Sequence, residues 1–418
     1  MGDALTNETI MVVGAGIVGV ATALWLQRDG FEVTLIDREG PAAGTSYGNA
    51  GVLASGSIVP VSVPGLLTKA PSMLFSRNQP LFLKWSYLPR LLPFLRQYLA
   101  QSRSVEHIAG GLHDLLHDSV DQHHALADGT PAARFLSNED WIYGYADREA
   151  YLADGYGWDI RRLHGVPFEE MSAGDLATYD PSLSERFGFG VRLLQHGRIS
   201  DPGAYVGALM DVFCAKGGVF QKATIRDLAV EDGTCVGIET DTGVLTANQY
   251  VLTLGAWSGP LAKKLGITVP LESERGYHLE YVNPSIILKS PVMVSAGKFA
   301  MNSMDGRLRC AGVVEFGGLD APASKAPFEL LKRQVKDLFP DLTYDRVVEW
   351  MGHRPSTADS LPVIGQAPHA SNVLLGYGHQ HVGLTGGPKT GRWLAQLASG
   401  RAPNTDLAAY APSRSINR

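Results

Sequence analysis

The hydrophobic pattern is most regular at the start of the chain, where it predicts a strand–helix–strand unit. Residues 10–13 form a short aliphatic run that suits a buried parallel strand. Residues 17–27 then carry apolar and small side chains at helical spacing, and Gly30 ends this helix. Residues 31–36 alternate toward a second strand that ends at Asp37. This order of elements is typical of a nucleotide-binding fold.

The turn after the first strand has the glycine spacing of a dinucleotide-binding loop. Gly14 suits the tight turn, Gly16 lets the backbone approach a pyrophosphate, and Gly19 allows close helix–strand packing. The carboxylate of Asp37 is placed to accept hydrogen bonds from ribose hydroxyls. The sequence therefore predicts a bound dinucleotide. The residues assigned to it are Gly14, Gly16, Ile17, Val18, Gly19, Asp37 and Arg38.

Two later segments repeat the strand–glycine–helix pattern. Residues 219–254 predict a β-meander whose last strand runs into a glycine segment at 255–259 and then a helix. Near the C-terminus, a strand at 373–379 leads through a glycine loop at 380–388 into another helix, whose N-terminus would place positive charge against a flavin. This arrangement favours a flavin over a nicotinamide cofactor. The candidate contacts are Gly255, Trp257, Gly383, Leu384 and Thr385.

The segment that follows Asp37 is dense in glycine and other small residues. It is either a mobile surface loop or a second lining of the cofactor cleft, and its glycines favour the cleft because they permit close backbone approach. The candidate contacts in this loop are Thr45, Ser46, Asn49, Ala50 and Gly51.

Two stretches in the first third of the chain leave alternatives open. Residues 52–101 are largely apolar and are interrupted by prolines, and all of their charged residues are basic. They suit either peripheral contact with an anionic membrane or short helices over the cleft, and the prolines favour short helices because they prevent one continuous helix. Residues 105–127 predict a helix with His113 and His117 one turn apart. Without further ligands these are interpreted as surface histidines, and no metal is expected.

Composition narrows the picture mainly by exclusion. A length of 418 residues predicts two domains, and a net charge of −6 argues against a nucleic-acid partner. The three cysteines, Cys214, Cys235 and Cys310, form no C-x-x-C pair, which fits a reducing cytoplasm. Neither a signal peptide nor a membrane-spanning run is apparent. We expect a cytoplasmic location, either free or at the inner face of the cytoplasmic membrane.

These segments together resemble the D-amino acid oxidase superfamily of FAD-dependent oxidoreductases, which includes glycine oxidase, sarcosine oxidase and bacterial D-amino acid dehydrogenases. The resemblance rests on the glycine unit at 14–37, the loop at 45–51, the segment at 255–258 and the C-terminal block at 354–386. It covers nearly the whole chain. The basic segment at 60–98 looks most like the D-amino acid dehydrogenase branch.

The resemblance implies an α/β fold with an α+β substrate part. A Rossmann-type FAD-binding domain with a β-meander is expected over residues 1–60, 195–268 and 350–418. A substrate domain built on an antiparallel sheet is expected over residues 61–194 and 269–349.

The family pattern also implies particular roles. Arg354 matches the arginine that pairs with the substrate carboxylate, although it could instead fix its own loop; His353 stands where the family has Leu or Phe. No cysteine follows Cys310, whereas the sarcosine oxidase branch carries a flavin-linking cysteine there, so FAD is expected to be non-covalent. The catalytic candidates are Arg354, Tyr277, His278 and His379, with His381 as a further polar residue.

The resulting hypothesis is oxidation of the Cα–N bond of a small amino acid, foremost a D-amino acid. Hydride transfer to flavin N5 would give an imine that water hydrolyses to a 2-oxo acid, with oxygen or a quinone as electron acceptor. Three alternatives remain. The first is a dehydrogenase or oxidase of hydroxyproline (the cis-4-hydroxy-D-proline type) or of another cyclic or N-methyl amino acid. The second is an FAD-carrying subunit of a multi-subunit amine dehydrogenase, and the third is a nicotinamide-dependent enzyme.

Overall fold

The computed structural model describes residues 8–61, 81–183 and 185–416. Within these ranges the strands form a six-stranded sheet, a three-stranded sheet and a ten-stranded sheet. The strands are β1 Thr9–Val13, β2 Glu32–Asp37, β3 Val52–Leu53, β4 Leu81–Leu83, β5 Leu136–Tyr145, β6 Phe168–Ser172, β7 Phe189–Ile199, β8 Val219–Lys222, β9 Ile225–Glu231, β10 Thr234–Thr240, β11 Gly243–Leu245, β12 Gln249–Leu252, β13 Leu271–Val282, β14 Val292–Val294, β15 Phe299–Met304, β16 Arg307–Phe316, β17 Arg346–Thr357, β18 Val363–Ala367 and β19 Ala370–Tyr377.

Three helices cover one face of the six-stranded sheet, and the three-stranded sheet packs together with two further helices against its other face. The α-helices are α1 Ile17–Arg28, α2 Leu88–Ala100, α3 Val105–Leu116, α4 Ser119–Ala127, α5 Arg148–Ala153, α6 Gly155–Leu163, α7 Ala173–Tyr179, α8 Pro202–Ala215, α9 Gly259–Lys264, α10 Lys325–Leu338 and α11 Gly383–Ala398. Short 3-10 helices are Trp85–Tyr87, Gln101–Arg103, Pro131–Phe135, Gly255–Ser258 and Ala408–Tyr410.

The six-stranded sheet has the order β18-β19-β12-β1-β2-β8 and is parallel except for β18. Its central strands are aliphatic and buried because α1, α8 and α11 lie against one face, and the three-stranded sheet and α9 pack against the other. The carboxyl ends of β1, β12 and β19 meet at one edge, which is where ligands bind in open α/β sheets. This edge therefore positions the cofactor cleft.

The ten-stranded sheet is mostly antiparallel and lies over that edge. Strands β17, β13 and β16 are neighbours, and the register pairs Glu274 with Arg354, Gly276 with Gly352, and His278 with Trp350. Directly paired residues share a face, so these side chains all point to one side of the sheet. Helix α10 covers the opposite side. The sheet thus presents one polar face toward the cleft.

The structure confirms the N-terminal unit and corrects several other predictions. Strand β8 joins the parallel sheet beside β2, so the antiparallel meander is limited to β9, β10 and β11. The helix predicted over 105–127 is two helices, α3 and α4, separated at His117 and Asp118. Strand β17 pairs with β13 from Arg346 to Thr357, across residue 350. The domain bounds given above stay a prediction.

Residues 81–101 of the proline-rich stretch agree with the prediction of short helices, because they form β4, the 3-10 helix Trp85–Tyr87 and α2 in place of one continuous helix. The described part of the stretch contains one 13-residue helix, α2, with Pro93 inside it. Pro89 lies in the first turn, where no intrahelical donor is needed, so only Pro93 removes a helical hydrogen bond. Burial of Leu91, Phe94 and Tyr98 in the core stabilises the helix in spite of that loss. Residues 62–80 of the same stretch lie outside the described residues.

The structure also bears on the metal and membrane expectations. The His113 and His117 rings stack with centroids 5.0 Å apart, and no group of three metal-ligating side chains occurs in the described ranges. In the same ranges, no helix is both long and apolar enough to cross a bilayer.

Candidate active site

The structure brings the predicted glycine segments together in a single cleft at the carboxyl edge of the parallel sheet. Each wall comes from a different part of the sequence, because the loops after β1, β2, β12 and β19 all end here. The lining includes Gly16, Ile17, Val18, Thr45, Ser46, Asn49, Thr253, Gly255, Tyr377, His379, Gly383 and Leu384.

The turn at the start of α1 admits only glycine at two positions. Gly14 has φ +106°, and a Cβ there would stand 2.5 Å from the Thr253 carbonyl oxygen. A Cβ at Gly19 would stand 1.8 Å from the Gly14 carbonyl oxygen. The Thr253 hydroxyl closes the same turn by donating to the carbonyl of Val13 at 2.8 Å. The tight turn predicted at Gly14 and the close packing predicted at Gly19 are therefore observed.

Asp37 organises the far end of this turn. Its Oδ2 accepts from the Ala15 amide at 2.9 Å, and its Oδ1 accepts from the amides of Glu39 and Gly40. Next to it, the Arg38 guanidinium lies over the Trp257 ring, 4.1 Å from the centroid. The two loops that carry Arg38 and Trp257 are thereby joined beside the predicted ribose site.

The two helix N-termini in the cleft suit a phosphate-bearing dinucleotide. Gly16 is the N-cap residue of α1, and neither it nor Val382, the N-cap residue of α11, forms a side-chain capping hydrogen bond. Neither first turn carries an acid, so the positive ends of both helix dipoles face the cleft. The Ser46 hydroxyl accepts from the Ile17 amide at 2.9 Å and ties the second loop to α1. The residues present therefore fit FAD.

The loop at residues 47–50 is held by side chains from the polar face of the antiparallel sheet. Four successive backbone carbonyls each accept a hydrogen bond, so the loop is fixed residue by residue. The bonds run from Arg309 Nη1 to the carbonyls of Tyr47 (2.7 Å) and Asn49 (2.5 Å), from His278 Nδ1 to that of Gly48 (3.0 Å), and from Asn302 Nδ2 to that of Ala50 (2.8 Å).

An ion-pair network supports this anchor. Arg309 is fully buried and pairs with Glu280, with Nη2 and Oε1 2.5 Å apart. Glu280 also faces Arg307 at 3.5 Å, and Arg307 pairs with Asp201 at the start of α8. Burial lowers the pKa of Arg309, and Glu280 opposes that shift. Sequence reasoning missed this network; the signal available was the Arg-Leu-Arg alternation of residues 307–309.

Arg354 lies on the same face of the sheet but in different surroundings. Its guanidinium lies across Gly276, where a Cβ would come within 2.7 Å of the Arg354 Cζ. It forms no ion pair and no hydrogen bond with any residue in the described part of the chain, although it lies deep in the molecule and is only partly accessible. Burial lowers the pKa of Arg354, and Glu274 opposes this. A guanidinium in this state is ready to bind an anion.

His381 borders the same space. Its ring is exposed and lies close enough to Arg354 to respond to the charge of that guanidinium. Burial and the charge of Arg354 lower the pKa of His381, so it is neutral at pH 7. Its Nε2 lies 3.4 Å from the Ser57 hydroxyl.

Tyr277, a catalytic candidate from the sequence, lies on the opposite face of the sheet. Its hydroxyl donates to Glu315 at 2.6 Å and accepts from the Ser324 amide, and its ring packs edge-on against Phe328 of α10. Burial, more than the Glu315 carboxylate, raises the pKa of Tyr277 to about 12. The structure does not bring Tyr277 to the cleft, and we remove it from the catalytic candidates.

The two remaining histidine candidates support neighbouring backbone. His278 is buried, stacks on Trp350 at 4.8 Å and bonds the Gly48 carbonyl, which leaves its Nε2 unprotonated. Burial, followed by the charge of Arg309, lowers the pKa of His278 to about 3. The buried His379 bonds the Thr390 hydroxyl at 2.9 Å and ties the loop after β19 to α11. Both side chains position the cleft walls.

Comparison with known proteins places the chain in a family. Residues 9–397 match the DAO family of FAD-dependent oxidoreductases, and the chain belongs to that family. It is 37% identical to a D-amino-acid oxidase of Bradyrhizobium diazoefficiens, covering 97% of this chain and 98% of that protein. It is 32% identical to a D-amino acid dehydrogenase of the same organism, covering 98% and 99%.

A solved structure agrees with the fold. Glycine oxidase from Geobacillus kaustophilus superposes with a TM-score of 0.75 at 20% identity, covering 98% of this chain and all of that one. The α/β class and the family expected from the sequence are thus confirmed. The protein is an FAD-dependent oxidoreductase.

Proposed function

We propose that the protein oxidises the Cα–N bond of a small D-amino acid to an imine, which water hydrolyses to a 2-oxo acid and ammonia. The observation that carries this proposal is the unpaired guanidinium of Arg354 beside the cofactor cleft. The names of the two Bradyrhizobium relatives support an amino acid as substrate.

The environment of Arg354 suits a carboxylate ligand. An unpaired charge in the protein interior is costly, and a substrate carboxylate would offset that cost through two parallel hydrogen bonds. The buried arginines nearby have no such capacity, because Arg275 pairs with Glu315 and Arg309 pairs with Glu280. Arg354 is therefore the group that we assign to the carboxylate.

The chain's part in the reaction is mainly positioning. FAD, when bound, supplies the two-electron acceptor for the hydride that leaves the substrate Cα. Arg354 fixes the carboxylate, and the anchored loop at 47–50 fixes one wall of the cleft. The neutral His381 and the Ser57 hydroxyl give the cavity wall polarity without a second positive charge. A well-oriented Cα–H needs little further chemical assistance.

We also propose that FAD is bound without a covalent link, through the cleft residues predicted from the sequence. The cysteines support this, because Cys235 and Cys310 are buried and Cys214 lies at the far end of α8. Cys310 points to the apolar core beneath α10, away from the cleft. Acid precipitation of the holoenzyme is expected to release all of the flavin into the supernatant.

The experiment is an anaerobic substrate panel with the purified chain alone. D-alanine is expected to bleach the flavin absorbance, and L-alanine, N-methylglycine and cis-4-hydroxy-D-proline test the enantiomer and the cyclic and N-methyl alternatives. Reoxidation by air or by a soluble quinone then identifies the acceptor. Failure of every amino acid to bleach the flavin would refute the proposal and favour a subunit that depends on a partner.

A further inference from the structure

Glu274 is a buried acid that the proposed reaction has not yet used. It lies directly opposite Arg354 in the β13–β17 register and keeps 7% of its surface accessible. It forms no ion pair within 4 Å and no hydrogen bond of standard geometry with any residue that the structure describes. Because a buried carboxylate is costly unless it is paired or protonated, its presence beside the carboxylate clamp calls for a function.

The groups that face Glu274 are few. Arg354 and Ser356 approach from β17, Tyr98 approaches from α2, and Glu272 lies two residues away on the same strand. Burial raises the pKa of Glu274, Arg354 and then Ser356 oppose this, and Glu272 adds to it. Only Arg354 supplies positive charge among these groups.

We propose that Glu274 accepts the proton of the substrate α-ammonium and so delivers the neutral amine from which the hydride leaves. The inference rests on the proposed function, because it requires an α-amino acid whose carboxylate sits on Arg354. The N–H bond of the ammonium breaks, its electron pair stays on nitrogen, and the proton forms an O–H bond on Glu274. The neutral amine can then share its lone pair with Cα as the hydride departs.

Substrate binding itself favours this transfer. When the substrate carboxylate pairs with Arg354, the positive charge that stabilised ionised Glu274 is compensated. The affinity of Glu274 for a proton therefore rises at the moment when an ammonium group arrives beside it. The α-amino nitrogen is one carbon away from the carboxylate, so a ligand on Arg354 holds its ammonium near that guanidinium, and Glu274 is the acid paired with Arg354 in the strand register.

The histidines of the cleft are less suited to this role. His381 stands close enough to Arg354 that a second positive charge is disfavoured. His278 is committed to the Gly48 carbonyl, and its Nε2 is buried without contact to solvent. Glu274 is thus the acceptor that the geometry favours.

The first test measures binding without turnover, using the holoenzyme. 2-Methylalanine has a carboxylate and an ammonium but no Cα–H, whereas isobutyrate lacks the ammonium. Both are titrated against the flavin absorbance of the wild type and of Glu274→Gln. We expect Glu274→Gln to weaken 2-methylalanine about tenfold and to leave isobutyrate unchanged or bound more tightly, since a like charge is removed.

The second test is the pH dependence of kcat/KM with D-alanine. The wild type is expected to lose activity as the pH falls through the pKa of Glu274 in the free enzyme, which lies above that of an ordinary glutamate. Glu274→Gln should lower kcat/KM at pH 7 about 10²-fold, which is the usual contribution of proton transfer to a positioned side chain. The kcat/KM of this variant should rise again at higher pH, where the free substrate already carries a neutral amine. Glu274→Asp should keep the acid limb with a smaller loss.

Glu272→Gln is the matched control, because it removes the other acid of the strand while keeping an acceptor for the Tyr87 hydroxyl. It should move the acid limb only slightly downward. An unchanged acid limb in Glu274→Gln, or a limb that vanishes in Glu272→Gln instead, would overturn the inference. The inference would also be overturned if Glu274→Gln lost activity only with D-lysine and D-arginine. That result would show that Glu274 binds a cationic substrate side chain.

An error in the proposed function and an error in the role of Glu274 give different experimental results. If neither isobutyrate nor 2-methylalanine binds the wild type and no amino acid bleaches the flavin, the proposed function is wrong. If both bind and D-alanine is oxidised while Glu274→Gln behaves as the wild type, only the role of Glu274 is wrong. FAD content and thermal unfolding of each variant show whether it is folded.

Discussion

Two regions on the same face of the antiparallel sheet treat buried charge in opposite ways. Around Arg309, every charge has a partner within the protein, and the side chain bonds Glu280 and two backbone carbonyls. Around Arg354, the guanidinium and the neighbouring Glu274 form no ion pair with any described residue. The charges of the first region are all paired without a ligand, whereas the charges of the second region can be paired by a ligand.

The difference separates stability from function. Satisfied buried charges fix the geometry of the cleft, and removing one partner leaves the other uncompensated. Unsatisfied charges lower the stability of the free enzyme, and a ligand supplies the missing interaction. Substitutions in the two regions should therefore affect different measurements.

Replacing Arg309 should have the largest effect on folding. Arg309→Met leaves Glu280 buried without its main partner and frees the loop at 47–50, so the free energy of unfolding should fall by about 3–5 kcal/mol. Urea denaturation of the apoenzyme measures this, and the Kd for FAD should rise because the loop lines the cleft. Arg401→Met, which breaks an exposed pair with Asp29, is the control and should cost less than about 1 kcal/mol.

Replacing Arg354 should give the reverse pattern. Arg354→Met removes the carboxylate partner, so kcat/KM for D-alanine should fall by about 10²–10³-fold, equivalent to about 3–4 kcal/mol. The free energy of unfolding should change little, because the interior loses an unpaired charge while Glu274, which loses its positive neighbour, can take up a proton. Steady-state kinetics and urea denaturation on one preparation check both statements. A variant that unfolds readily but keeps its KM would show that Arg354 only fixes its own loop.

The sequence predicted the cofactor side of the molecule well because its signals are local. The fingerprint from Gly14 to Asp37 spans one continuous strand–helix–strand unit, and the close contact of Gly19 with the Gly14 carbonyl lies within it, although Gly14 itself packs against the distant Thr253. The anchor of the loop at 47–50 could not be predicted in this way. Arg309 lies 262 positions from Tyr47, and Asn302 lies 252 from Ala50, so no local pattern connects them.

The substrate side shows a second limit. Alternation along β13 separates Tyr277 from His278, but both faces of that strand are buried, one beneath α10 and one against the loop at 47–50. The hydrophobic pattern therefore does not reveal which face of β13 is turned toward the cleft. An assignment that is shifted by one residue places the side chains of the opposite face in the site. Glu274 went unnoticed for the same reason, although its parity with Arg354 is fixed by the register.

A third substitution tests a buried histidine whose two ring nitrogens both have hydrogen-bond partners within the protein. His123 is fully buried between the Tyr205 hydroxyl and the Leu384 carbonyl, and burial lowers its pKa to about 4. Between that value and the ordinary histidine pKa of about 6.5, the unfolded chain binds a proton that the folded chain does not, so stability falls as the pH drops through this window. His123→Gln should reduce the slope by up to about 1.4 kcal/mol per pH unit. Urea midpoints between pH 7 and 4 measure it, and an unchanged slope would contradict the assigned burial.

The smallest effect is expected at Thr253, which lies in the cleft but belongs with the partnered residues. Its hydroxyl donates to the carbonyls of Val13 and Gly14 and closes the turn against Gly19. Thr253→Val keeps the shape and removes that donor, so unfolding should become easier by about 1 kcal/mol while KM for D-alanine stays the same. Thr253→Ser, which keeps the hydroxyl, is the control and should hold the turn. A rise in KM with unchanged stability would contradict the comparison. It would mean that a cleft residue whose polar atoms already have protein partners can still contribute to substrate binding.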